Sequence, residues 1–95
     1  MSDEHKLNGE IERRARAEAL LQNELLREAF AELEQRYVEE WRGSEPRDAD
    51  ARERLWQAVN VLRKVKDHLS RVVRDGRLAQ RQLDELAGRR RRFGL

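Results

Sequence analysis

Nineteen carboxylates, two histidines and three serines are the side chains with which this chain could move protons, attack a carbonyl or hold a metal. Their spacing favours none of these. Residues four apart share a helix face, and Glu12 with Arg16, Glu32 with Arg36, Asp67 with Arg71, and Glu85 with Arg89 all stand at that interval. Such pairs support a solvated helix by about 0.2–0.5 kcal/mol each. They set each carboxylate beside a base rather than beside the second carboxylate that acid–base catalysis needs. His68 follows Asp67 but has no other His or Cys at ligand spacing, and the chain has no cysteine, so the usual zinc donors are missing. His5 lies in the N-terminal leader. Ser2, Ser44 and Ser70 lack an adjacent base or a nucleophile-elbow context. There is no glycine-rich phosphate loop. The expectation is a chain that is not an enzyme, with no cofactor, no metal and no small-molecule substrate.

The cations carry more information. Residues 1–47 hold 8 Lys/Arg against 12 Asp/Glu, and residues 48–95 hold 13 against 7, so a net charge of +2 hides an acidic half and a basic one. Arg52, Arg63, Lys66, Arg74, Arg77 and Arg81 fall within about 80° on one flank of a second helix, provided that helix continues past Gly76. Glu10, Glu24, Glu28, Glu32 and Glu39 form an acidic flank on the first. Two uses stay open. The flanks can meet within the chain or across a subunit interface, setting orientation as e and g charges do in coiled coils. Alternatively the basic ridge can track DNA or RNA phosphates without sequence preference. The end of the chain, Arg89-Arg90-Arg91-Arg92-Phe93-Gly94-Leu95, reads as a solubilising tail, an electrostatic foot for nucleic acid, or a docking peptide. Phe93 and Leu95 would be wasted on pure electrostatics, which favours docking.

Elements must position these charges. Of 95 residues, 42% are charged and 38% hydrophobic, with five aromatics and one proline. This excludes a disulfide scaffold, a collagen-like repeat and a turn-rich all-β domain. No apolar run approaches the roughly 18 residues of a membrane-spanning helix. The fold class expected is all-α: an antiparallel hairpin of two long helices, packed like a coiled coil, with a short third helical segment at the C-terminal end. Residues 1–7 read as a flexible acidic leader, 8–87 as the hairpin and oligomerisation domain, and 88–95 as a basic tail. Asn8 is the expected N-cap of a first helix running to Arg42, and Gly43 the left-handed residue that ends it. The loop covers 43–49 around Pro46. Asp50 is the expected cap of the second helix, with Glu53 as its capping-box partner. Asp75-Gly76 signals a break, yet Leu55, Leu62, Leu69, Gly76 and Leu83 recur every seven residues straight through it, so a third helix over 78–87 and a kinked continuation both remain open.

The apolar stripes exceed what one hairpin can cover. On the first helix Ile11, Ala15, Ala19, Leu25, Leu26, Ala29, Phe30, Leu33, Tyr37 and Trp41 span about 160°, and on the second Leu55, Ala58, Val59, Val61, Leu62, Val65, Leu69, Val72 and Val73 cover a similar arc, whereas a two-helix seam needs only a narrow stripe. Leu21 widens that arc, and Leu20 and Val38 lie on a separate flank. Trp41 and Trp56 flank the loop; Trp56 falls off the main stripe and fits either corner packing or an anchor for a neighbouring subunit. Small chains bury a low fraction of their surface. Self-association through Leu20, Leu21, Leu25, Val38 and Trp56 is the expectation, against a monomer whose third segment folds back.

The leader Asp3-Glu4-His5-Lys6-Leu7-Asn8-Gly9-Glu10, the Ala/Leu/Glu helix ending at Tyr37-Val38-Glu39-Glu40-Trp41, the Leu/Val-rich partner helix and the Arg-Phe-Gly-Leu end together resemble short helical proteins of tailed phages, prophages and gene transfer agents. In particular the chain is similar to the oligomerisation core and C-terminal segment of small terminase subunits. The resemblance covers most of the chain. It implies hairpins that build a ring, a C-terminus that contacts the large ATP-hydrolysing terminase subunit, and a location in the cytoplasm of a bacterial host. Small terminases commonly begin with a helix-turn-helix domain, for which the seven residues before Asn8 are too few. The implied role is therefore adaptor work or non-specific DNA contact rather than recognition of a packaging site.

Overall fold

A computed structural model describes residues 2–92. Three helices follow one another, α1 (Ser2–Gln22), α2 (Glu24–Gly43) and α3 (Ala49–Arg92), and no strand occurs among the described residues. The all-α helical hairpin expected from the sequence is the observed architecture. Its interruption falls elsewhere. α3 runs unbroken through Gly76 for 44 residues, so there is no separate C-terminal segment, and the expected first helix is instead divided at Asn23.

Asn23 divides it by capping. Its backbone is extended (φ −67°, ψ 117°), its Oδ1 accepts from the Leu26 N–H at 2.8 Å, and its carbonyl accepts from the Arg27 N–H at 3.0 Å. Asparagine competes with the helical backbone in this way wherever it is placed at a helix start. The other ends are shifted too. α1 runs through Asn8 and Gly9, so neither the leader nor the Asn8 cap exists as expected; Asp3 and Glu4 lie in its first turn, where the helix dipole favours them. Gly43 is the last helical residue of α2 and Ser44 is the cap. Asp48, not Asp50, caps α3: its Oδ1 accepts from the Ala51 N–H at 3.1 Å. The basic segment is helical as far as Arg92, its four arginines forming the last turn of α3, where cations oppose the carbonyl end of the dipole.

Contacts divide the chain into two compact units. One, Leu21–His68, contains α2, the loop and the first part of α3. It is an antiparallel hairpin with Val59 buried between the helices, and α2 contributes no fully buried residue. Within its loop the Asp48 N–H donates to the Glu45 carbonyl at 2.9 Å, closing a turn around Pro46 and Arg47. The second unit pairs α1 with the later part of α3, again antiparallel: Glu4 meets Arg90 and Glu18 approaches Arg77. Its core is made of small residues. Ala17, Gly76 and Ala79 are buried alongside Val73, and Ala79 retains 1% of its exposure. Small side chains let the two backbones approach closely, which is why Gly76 is a packing residue rather than a helix stop.

The division at Asn23 also re-phases the expected stripe. Ala15 and Ala19, placed on the inner face of a single long helix, are exposed, and Ala17 is buried. Beyond Asn23 the stripe holds in part: Leu26, Phe30, Leu33 and Tyr37 are half-buried, while Leu25, Ala29 and Trp41 are exposed.

Candidate functional site

At the closed end of the Leu21–His68 hairpin lies a groove of about 200 Å³ lined by Val38, Trp41, Leu55, Trp56, Val59 and Arg63. Its walls are almost wholly apolar side chains. The end of α2 is held there by Arg52 from α3. The Arg52 guanidinium stacks 4.2 Å above the Trp41 ring, and its Nη1 donates to the Trp41 carbonyl at 3.3 Å and to Ser44 Oγ at 3.0 Å. Ser44 Oγ in turn donates to the same carbonyl at 2.6 Å. The Trp41 carbonyl, two residues before the end of α2, also accepts from the Ser44 backbone N–H at 3.3 Å and so is satisfied in the last turn, and the indole is fixed as one wall of the groove.

Seven large apolar residues are exposed among the described residues. Leu25 keeps 74% of its accessibility, Val61 58% and Trp56 52%; Leu20, Trp41, Val65 and Leu78 are exposed as well. Of the expected contact residues, Leu20, Leu25 and Trp56 are therefore open to solvent, whereas Leu21 and Val38 are half-buried. Trp41, Val61, Val65 and Leu78 were not among them. Periodicity assigned Trp41, Val61 and Val65 inward, on the apolar arcs of the two expected helices.

Three of the expected basic contacts are engaged inside the chain. Arg63 bonds Glu34 at 3.1 Å, Arg77 lies 4.0 Å from Glu18, and Arg90 pairs with Glu4. Their partners, Glu4, Glu18 and Glu34, are none of the five glutamates of the expected acidic flank, and Arg90 belongs to the tail rather than to the basic flank. Lys66, Arg74, Arg81, Arg89, Arg91 and Arg92 are exposed and have no ion pair among the described residues. Phe93 and Leu95, the expected docking pair, lie outside the described residues. Of the four expected i,i+4 ion pairs, Glu12–Arg16 forms at 2.8 Å, and Arg14–Glu18 forms unanticipated at 3.0 Å; the other three are open among the described residues.

A second, wider cavity of about 630 Å³ lies between α1 and the later part of α3, with Asp3, Glu10, Asp75 and Glu85 on its walls beside Lys6 and Arg89. Among the described residues no cluster of three or more His, Asp or Glu is arranged to hold a metal, and no helix is long and apolar enough to cross a membrane. Compared with protein-family models, curated proteins and solved structures, the chain matches none.

Proposed function

We propose that this chain is a non-catalytic, self-associating helical protein, an assembly or adaptor component of viral-type DNA packaging. On this reading it works in the cytoplasm of a bacterial host, and its basic C-terminal end docks on a partner such as a packaging ATPase of the large terminase type. The observation that carries self-association is surface. Leu20, Leu25, Trp41, Trp56, Val61, Val65 and Leu78 all stay open to solvent. Burying a leucine or valine side chain is worth about 1.5–3 kcal/mol.

The packaging role is supported by the resemblance to small terminase subunits and by the exposed arginines of the last turn of α3, which suit electrostatic steering towards an acidic partner. Native mass spectrometry and sedimentation test the assembly: a multimer is expected, and single, stably folded copies at micromolar concentration would overturn it. Capture of a packaging ATPase by the intact chain, lost in the Phe93→Ala/Leu95→Ala variant, tests the docking.

A second reading is a non-specific nucleic-acid-binding or architectural protein. It is favoured by Lys66, Arg74 and Arg81, which fall on one flank of α3 and carry no ion pair among the described residues. DNA affinity that falls steeply with salt, and is abolished by removing residues 89–95, would support it over the first.

A further inference from the structure

The open cavity of about 630 Å³ between α1 and the later part of α3 is walled by one face of each helix. On α3 the wall is Asp75, Leu78, Gln82, Glu85 and Arg89, with Leu86 at its edge. Those five recur at alternate intervals of three and four, the spacing of a coiled-coil seam. On α1, Asp3, Lys6 and Glu10 repeat that spacing, with Leu7 beside them. The seam that α1 covers is a different one. Val72, Gly76, Ala79 and Leu83 keep the same alternation, and each is buried or half-buried. The two seams on α3 are offset by one residue, a rotation of about 100°. α3 is therefore patterned for two helical neighbours along one stretch, and α1 covers only one of the two seams. Leu78, on the other, keeps 52% of its accessibility.

Charge names the second neighbour. The unit made of Met1–Leu20 and Leu69–Leu95 carries 12 Lys/Arg and 8 Asp/Glu. Its groove reverses that balance: Asp3, Glu10, Asp75 and Glu85 line it beside two cations, Lys6 and Arg89. None of the six has an ion pair among the described residues. Charges at seam positions choose a partner helix and its register. We propose that the groove receives a basic amphipathic helix of a partner protein, lying along α3 for about 21 Å, the distance from Asp75 to Arg89 at 1.5 Å per residue. Its apolar residues, spaced by three and four, cover Leu7, Leu78 and Leu86. Its flanking Lys or Arg side chains meet Asp75 and Glu85 on α3 and Asp3 and Glu10 on α1. An amphipathic helix laid into an apolar-floored groove is a common mode of recognition, and here it does not depend on self-association.

The probes are two synthetic helical peptides about three heptads long, with leucine at a and d and either lysine or glutamate at e and g. The whole chain carries a net charge of +2, so long-range attraction favours the glutamate peptide, and a preference for lysine reports the groove. The lysine peptide is expected to bind the intact chain about tenfold more tightly than the glutamate peptide and to shift the methyl resonances of Leu7, Leu78 and Leu86. Asp75→Asn/Glu85→Gln is expected to weaken the lysine peptide about 3–10-fold and to leave the glutamate peptide no weaker. Both side chains are exposed, and circular dichroism confirms that the variant is folded. Equal affinity for the two peptides, or methyl shifts confined to other leucines, would overturn the proposal. Leu78 shifts that grow with the concentration of the chain alone would place a second copy in the groove and overturn it as well.

Discussion

Gly76 of α3 lies directly against Arg14 of α1. A β-carbon at position 76 would overlap the Arg14 β-carbon and come within 2.9 Å of both its Cδ and the Glu10 carbonyl oxygen. Two helices meet here backbone to backbone, and Ala17 and Ala79, both buried, extend the close approach.

Glycine is normally the weaker helix residue by about 1 kcal/mol, so Gly76→Ala would stabilise a free helix. Here it must push α1 aside. The expected outcome is a net loss of about 1–3 kcal/mol from overpacking, read from urea unfolding. Gly9 and Gly88 are also helical but have open space around them, and Ala at either is expected to raise stability by about 0.5–1 kcal/mol. Equal effects at all three positions would contradict the close packing at 76.

At Asn23 the prediction concerns the cap. Asn23→Ala removes the acceptor of the Leu26 N–H and is expected to cost about 0.5–2 kcal/mol, whereas Asn23→Asp retains it and is expected to be nearly neutral. Chemical denaturation of the two variants side by side distinguishes capping from a loss of side-chain volume.

Arg52 holds Trp41 through a planar stack and a fork of donors. Lysine keeps the charge but neither geometry. Arg52→Lys is therefore expected to lose about 0.5–1 kcal/mol and to change the tryptophan emission spectrum. An unaltered spectrum and stability would show the stack to be inconsequential.

Leu25 and Val65 are exposed, so charging them costs the isolated hairpin little. If they contact a neighbouring copy, Leu25→Glu/Val65→Glu is expected to weaken association at least 10–100-fold, the loss of about 1.5–3 kcal/mol of burial, with helicity retained. Sedimentation across a concentration series measures it. Leu20→Glu/Val38→Glu is expected to lower the assembled mass similarly.

For the nucleic-acid reading, Lys66→Gln/Arg74→Gln/Arg81→Gln is expected to weaken DNA binding uniformly across sequences and to reduce the salt slope by about three. A slope that is unaffected would remove this flank from the contact.

Helicity, the hairpin and the loop around Pro46 were determined by residues whose preferences act locally: long runs of Ala, Leu, Glu and Arg, with one proline and its flanking caps. The repeat Leu55–Leu62–Leu69–Gly76–Leu83 left a continuous helix open beside a break at Gly76, and the exposure of Leu20 and Trp56 was legible in their places off the main stripe. Tertiary structure decided what a neighbour must supply. Gly76 reads as a breaker until Arg14 is set against it. Asn23 reads as one weak helix former among many until its side chain is seen capping Leu26. The groove beneath Trp41 and Trp56 depends on which arc of each helix the other covers, and that arc is set by packing between residues far apart in the chain.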